Sequence, residues 1–449
     1  MVKKVAIIGS GISGLTCAYL LNEKYDIEVL EANDYIGGHT HTVDINGLAI
    51  DTGFIVFNDR TYPNFQKILD QLGVSYRPTE MSFSVRNDNW GLEYNGNTLN
   101  SLFADRKNFF RPKFYRLILD ILKFNKLAKQ VNESDSRVTL GEFVHKNKFS
   151  DWFINGYILP MGSAIWSMGM AEMLDFPFVF FAKFFNNHGL LDVTNRPQWY
   201  TISGGSRNYI PKLTAKFADK VFLSSPVSKI IRHADYVELV FVNGESKKYD
   251  EVICACHSDQ ALQLLTNPSD DEQKILGAIK YSNNDVILHR DTSLLPRNKL
   301  AHASWNYLIN DDSNNKATLT YNMNILQGLN TQTTYCVTLN SADLVDESQI
   351  CARFNYAHPV YSDESVAAQA QWSKISGSDR VHYCGAYWSA GFRLRPGSPP
   401  AAPTRRHQFR SACGLREGKP PKKERQNLSA VWRQSRQRCT ERRTFPRLP

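Results

Sequence analysis

The sequence predicts an α/β fold: a Rossmann-type dinucleotide-binding domain, an α+β remainder, and a basic tail. Three observations carry this. A strand, a Gly-x-Gly-x-x-Gly turn and a helix follow one another from Lys4, an acidic residue closes the next strand at Glu31, and the composition breaks near residue 390.

Lys4–Ile8 is a short apolar run of the buried-strand type, Ile12–Lys24 reads as a helix, and Ile27–Glu31 as a second strand. The basic start and apolar run superficially suit a signal peptide, but the glycines favour the strand, turn and helix. Tyr62–Leu72 places Phe65, Ile68, Leu69 and Leu72 on one helical face. Pro112 opens another helix, along which Phe114, Leu117, Ile118, Ile121, Leu122 and Leu127 recur. Thr139-x-x-Glu142 and Ser269-x-x-Glu272 read as capping boxes. Strands are expected over Val221–Ile231, Val237–Val242 and Glu251–Cys256, with Asn243-Gly244 as a hairpin turn.

Charge separates the body from the tail. Residues 390–449 hold 16 of the 53 Lys and Arg but only 3 of the 44 Asp and Glu, so the body has 37 against 41 and is slightly acidic. The basic character therefore gives no reason to expect a nucleic-acid partner. The same stretch holds 8 of the 19 prolines and no Ile, Tyr or Met, a composition expected to be disordered. Cysteines at 17, 254, 256, 336, 351, 384, 413 and 439 form no C-x-x-C pair, which fits a reducing cytoplasm and indicates neither a disulfide framework nor zinc. No apolar run reaches the ~18 residues of a membrane span.

The first chemistry lies in Gly9-x-Gly11-x-x-Gly14. Its glycines permit a tight turn, close approach of a pyrophosphate and tight helix–strand packing, and Ser13 lies in the first helical turn. The helix N-terminus then faces the phosphates. Glu31 stands where a carboxylate accepts hydrogen bonds from both ribose hydroxyls and repels a 2′-phosphate.

Six residues later comes Gly37-Gly38-His39-Thr40-His41-Thr42. VAIIGSGISGL together with EANDYIGGHTHT resembles the start of the flavin amine oxidase, phytoene desaturase and protoporphyrinogen oxidase superfamily. GGHTHTV, DTGFIVFNDRTYPNF, MSFSV, LFADRKN and FFNNHGLL further resemble a subgroup similar to the flavoprotein domain of plant cyclopropane fatty acid synthases. The resemblance spans residues 1 to about 392 and implies FAD as cofactor, with Gly37 and Gly38 closing a second loop over its pyrophosphate.

The resemblance implies further placements. His39 stands where many amine oxidases carry an arginine beside the phosphates, and a neutral imidazole offers one donor where arginine offers a fork. His39 and His41 have no third ligand nearby, so no metal is expected. Asp51-Thr52-Gly53-Phe54 is either a strand-end turn or a neighbour of the flavin. Ser203-Gly204-Gly205-Ser206 leads the chain back into the FAD domain, and the Val227 backbone meets the adenine. Cys254 and Cys256 are expected as buried strand residues. Tyr387 and Trp388 are weak catalytic candidates beside the ring, or else packing residues.

The implied organisation is an FAD-binding domain from 1–70, 200–268 and 375–392, a substrate domain from 71–199 and 269–374, and a tail over 393–449. Asp175–Phe185 packs six Phe into eleven residues, accompanied by Trp152, Phe153, Tyr157, Ile165 and Trp166; this is an aromatic core or a lining for an acyl chain. The expected function is an FAD-dependent oxidoreductase passing hydride from a substrate C–H bond to flavin N5, on an acyl-lipid-like substrate. The alternatives are a flavin amine oxidase producing hydrogen peroxide and a non-catalytic or inactivated flavoprotein. A small molecule or lipid is the expected partner, with a lipid methyltransferase and peripheral contact at the inner membrane surface as candidates. Related chains follow the strand matching His382–Trp388 with a Gly-Phe-His-Glu-Asp-Gly-like stretch and a helix. Here Gly391-Phe392 precede Arg393-Leu394-Arg395-Pro396, and a shifted reading frame is the expected explanation.

Overall fold

The computed structural model describes residues 2–131, 138–166, 168–310 and 318–388. The tail expected over 393–449, and the frame shift inferred there, lie outside the described residues.

The parallel sheet begins with β1 (Lys4–Ile8), α1 (Ile12–Leu21) and β2 (Asp26–Leu30). Leu15, Cys17, Ala18 and Leu21 of α1 are all buried, which is why the helix shows no polar face in the sequence. It stops three residues before the expected Lys24. The Asn22 side chain donates to the carbonyls of Ala18 and Tyr19 and so satisfies the helix end.

From one edge to the other, the sheet runs Val221–Phe222, β2, β1, Glu251–Cys254 and Val381–Tyr383, with every neighbour parallel. The chain leaves β1 toward β2 and returns later on β1's other side. The order therefore reverses between β1 and Glu251–Cys254, and a crevice opens at the carboxyl ends of those strands.

The single strand expected over Val221–Ile231 is two. Ser224 at φ 49° and Pro226, which has no N–H, break the pairing, and Val227–Arg232 joins an antiparallel meander with Val237–Phe241 and Ser246–Tyr249. The strand expected to Cys256 ends at Cys254. Asn243-Gly244 does make the turn within that meander, with Gly244 at φ 88°. Both expected capping boxes are closed, Thr139 with Glu142 and Ser269 with Glu272.

A mixed seven-stranded sheet covers the crevice side. Its order is Ile350–Val360, Lys280–His289, Cys336–Leu339, Thr318–Asn322, Trp305–Ile309, Phe83–Asn87 and Leu92–Asn95. Helices from Pro112–Ala128 to Phe178–Asn187 bury a second core beside it. The Phe-rich segment is mostly this core: Phe176, Phe178, Phe181 and Phe185 are buried, while Phe180 and Phe184 keep part of their surface. Phe181 stacks on Phe185 at 4.1 Å and meets Trp166 at 5.3 Å. Phe181→Ala is expected to cost about 3–5 kcal/mol, read by chemical denaturation, because the ring sits in rigid aromatic packing that collapses poorly into a void. No helix among the described residues is long and apolar enough to cross a membrane.

Candidate functional site at the carboxyl ends of the parallel strands

The turn after β1 is set by its glycines. Gly9 has φ 105°, and a Cβ there would lie 3.0 Å from the Ala255 carbonyl oxygen. A Cβ on Gly14 would lie 2.0 Å from the Gly9 carbonyl oxygen, so only glycine lets α1 pack this closely. Gly11 is different: a Cβ there meets no atom of the described residues within 4 Å. Its open side is a cradle of the kind a pyrophosphate fills, beside the N-terminus of the ten-residue α1. Ser13 is half-buried on that first turn.

Glu31 is 6% exposed, yet its carboxylate is not vacant. One oxygen accepts from Ser10 N at 2.8 Å and Ser10 Oγ at 2.6 Å, and the other from Asn33 N at 2.9 Å and Asn33 Nδ2 at 3.0 Å. These bonds fill the four lone-pair directions of a carboxylate. Ser10 Oγ also accepts from Gly37 N at 3.2 Å, tying the second glycine loop to the first. Gly37 and Gly38 have φ of 126° and 59°, Gly11 and Gly37 form a bridge, and a Cβ on Gly38 would lie 3.1 Å from Gly11 Cα. Ser10 and Asn33 are therefore site residues that the glycine pattern passes over. A polar residue inside the turn, and one two positions past the acidic strand end, were the available signals.

Thr40 Oγ1 lies 2.7 Å from the buried Tyr209 hydroxyl. His39 turns toward the long strand Ile350–Val360, its Nε2 donating to the Ala357 carbonyl at 3.2 Å. His41 is held separately, with Nδ1 2.7 Å from the Tyr356 hydroxyl. Among the described residues, no group of three His, Cys, Asp or Glu side chains could hold a metal. Val227 enters the meander just past Ser225, whose N–H donates to the Glu31 carbonyl, so it lies beside the acidic end of β2.

Asp51, read in the sequence as a strand-end turn or a flavin neighbour, is a buried junction. Its carboxylate accepts from Thr42 Oγ1 at 2.6 Å, Ser206 N and Oγ at 2.9 Å, and Gln327 Nε2 at 2.9 Å. Burial raises its pKa to about 6 even though these donors favour the charged form. The Ser203–Ser206 turn, with Gly204 and Gly205 at φ 76° and 98°, is thereby fixed to the 42–51 hairpin.

Past the strand Glu251–Cys254, Cys254 is buried while Cys256 is partly open, and burial raises both thiol pKa values. Tyr387 follows the last strand. It is 5% exposed, its hydroxyl has no hydrogen-bond partner among the described residues, and its ring meets Tyr281 at 6.4 Å. Trp388 packs against the core of the parallel sheet.

The orphaned Tyr387 hydroxyl and the open side of Gly11 both fit a site completed by a bound group. The sequence profile described as flavin containing amine oxidoreductase matches residues 12–338. The chain belongs to that family. Its cofactor is FAD. The 1-hydroxycarotenoid 3,4-desaturase of Flavobacterium sp. (strain P99-3) is 29% identical over 214 residues, covering 46% of this chain and 41% of that protein. The chain thus matches less than half the length of this relative. Among solved structures, the CLA-producing fatty acid isomerase from P. acnes superposes with a TM-score of 0.60 at 16% identity, covering 85% of this chain and 93% of that one. Cyclohexylamine oxidase from Brevibacterium oxydans IH-35A gives 0.63 at 14% identity, with 93% and 97% covered. Both share the fold.

Proposed function

We propose that segments 1–70, 200–268 and 375–392 hold FAD, that segments 71–199 and 269–374 hold the substrate, and that the chain oxidises an acyl-lipid-like molecule. Bound FAD supplies the hydride acceptor, N5. In this reading Gly9, Gly11, Ser13 and Gly14 receive the pyrophosphate on one side and Gly37, Gly38, His39 and Thr40 close over it, with the Val227 backbone at the adenine. The two backbone donors hold Glu31, while the Ser10 hydroxyl and the Asn33 amide rotate away so that the two ribose hydroxyls take their places. Tyr387 borders the ring.

The substrate class rests on one observation, the aromatic side chains that stay partly open within the protein. Tyr62, Tyr157 and Tyr321 each retain accessible surface, and burial raises their phenol pKa values. Phe180 stacks on Tyr361 at 5.3 Å, and Trp305 lies 5.2 Å from Tyr321. An aromatic lining of this kind would orient an acyl chain by shape and exclude water, whereas the Asp51 carboxylate is already occupied by four donors and unsuited to an ammonium. The desaturase and isomerase relatives support an apolar chain; the cyclohexylamine oxidase fold supports the second reading, an amine. Anaerobic mixing with fatty acids, phospholipids and, separately, mono- and polyamines distinguishes them. Bleaching of the oxidised flavin band by acyl lipids is expected, and bleaching by amines alone would reverse the ranking.

A further inference from the structure

Two loops close on the Gly9–Gly14 turn, and each leads into a histidine. Gly38, in near contact with Gly11, is followed by His39; Ala255, against Gly9, is followed two residues on by His257. The two imidazoles meet across the crevice with ring centroids 5.6 Å apart. His257 stacks on Tyr281 at 4.4 Å, and His39 lies 5.6 Å from Tyr356. His358, two residues beyond Tyr356, donates from Nδ1 to the Pro359 carbonyl.

His39 keeps an exposed surface and His257 a partly open one, yet burial depresses both imidazoles, His257 to about 4. Accessible surface combined with desolvation marks groups that line a recess. His358 is likewise lowered to about 4, chiefly by burial, with His39 and His257 both disfavouring its protonation, and His39 disfavours that of His257. Asp259 pulls His257 the other way, and Glu31 acts on the neighbouring Cys256. The two imidazoles near the phosphate-type turn are therefore held toward the neutral form.

We propose that His39 and His257 are a proton-accepting pair over the dinucleotide crevice, which takes up a proton when a diphosphate ligand binds. This rests on the reading of the crevice as the FAD site. His39 Nε2 is committed to Ala357, so its Nδ1 is the atom open to the proton. A diphosphate brings negative charge into a poorly solvated recess and favours the imidazolium, while repulsion between the rings limits uptake to about one proton. The bound state has the higher imidazole pKa, so affinity rises as pH falls through that pKa toward about 4. The slope is at most about tenfold per pH unit.

Calorimetric titration of the apo full chain with FAD, and separately with ADP, in phosphate, HEPES and Tris buffers tests this. The binding heat should vary with buffer ionisation enthalpy, with a slope of about 0.5–1 proton taken up. His257→Gln should lower that slope while FAD still binds, and His39→Gln, which also removes a residue that closes over the pyrophosphate, should lower the slope and weaken FAD binding. Saturable FAD binding with zero slope, or a slope unchanged in both variants, overturns the proposal and leaves the cofactor site standing. Absence of any saturable FAD binding overturns the cofactor reading and the proposal with it. If either variant fails to fold, the wild-type slope and the pH dependence of its Kd decide.

Discussion

Gly14→Ala is expected to destabilise the protein by at least about 3 kcal/mol, whereas Gly11→Ala should leave its unfolding midpoint nearly unchanged. The new Cβ at position 14 would sit 2.0 Å from the Gly9 carbonyl oxygen and 3.2 Å from the Ala255 Cβ. Both neighbours directly follow the two central strands, so α1 must lift off the sheet, and the buried face of Leu15, Ala18 and Leu21 lifts with it. Gly11 has φ −65°, which alanine adopts without strain, and its Cβ would point into open space. Gly11→Ala should fold normally and lose FAD affinity by blocking the approach of the pyrophosphate. Chemical denaturation and flavin titration of the two variants measure these effects separately. Equal stability losses in both would mean that the two glycines do not divide the work of packing and ligand approach.

Asp51→Ala is expected to cost at least about 3 kcal/mol, because it leaves four buried donors from Thr42, Ser206 and Gln327 without their acceptor. Those donors lie on three separate chain segments, so the loss should also loosen the Ser203–Ser206 turn. Its pH dependence runs against the usual carboxylate. The folded pKa, about 6, lies above the unfolded value near 3.9, so the native state binds more protons between these limits. The stability contribution of Asp51 is thus greatest below about pH 4 and is lost as pH rises through about 6. The denaturation midpoint of the wild type, measured relative to Asp51→Asn, should rise between about pH 7 and about pH 5. A relative midpoint that falls over this range would show the carboxylate to be stabilised in its charged form.

The local signals in the sequence located β1, α1 and β2 to within a few residues, because glycine spacing and apolar runs are properties of neighbouring residues. They failed where a long-range partner decides. Val221–Ile231 looked continuous, but Phe222 bonds to the end of β2 while Val227 pairs with Phe241, and Ser224 and Pro226 make the break. Asp51 read as either a turn residue or a neighbour of the flavin, and not as a junction, because its partners Ser206 and Gln327 lie 155 and 276 positions away. His257 carried no motif at all. It becomes visible only when Glu251–Cys254 is placed beside β1, where the strand-end rule turns the three residues that follow into crevice residues. The six phenylalanines of 176–185 showed their apolar character plainly, but not which rings were core; helical phase divides them, with Phe181 and Phe185 inward and Phe180 and Phe184 at the margin.

The central claim is that the crevice at the end of β1 holds FAD through Glu31, and fluorescence titration of the apo full chain with FAD, beside the Glu31→Ala variant, tests it directly. Glu31→Ala removes the acceptor that holds Ser10 and Asn33 and that the ribose would share, at roughly 1.5–3 kcal/mol for a charge-assisted bond. Saturable one-to-one quenching in the wild type, weakened by about tenfold to a hundredfold in the variant, is the expected result. No saturable binding, or equal affinity in both proteins, would contradict it.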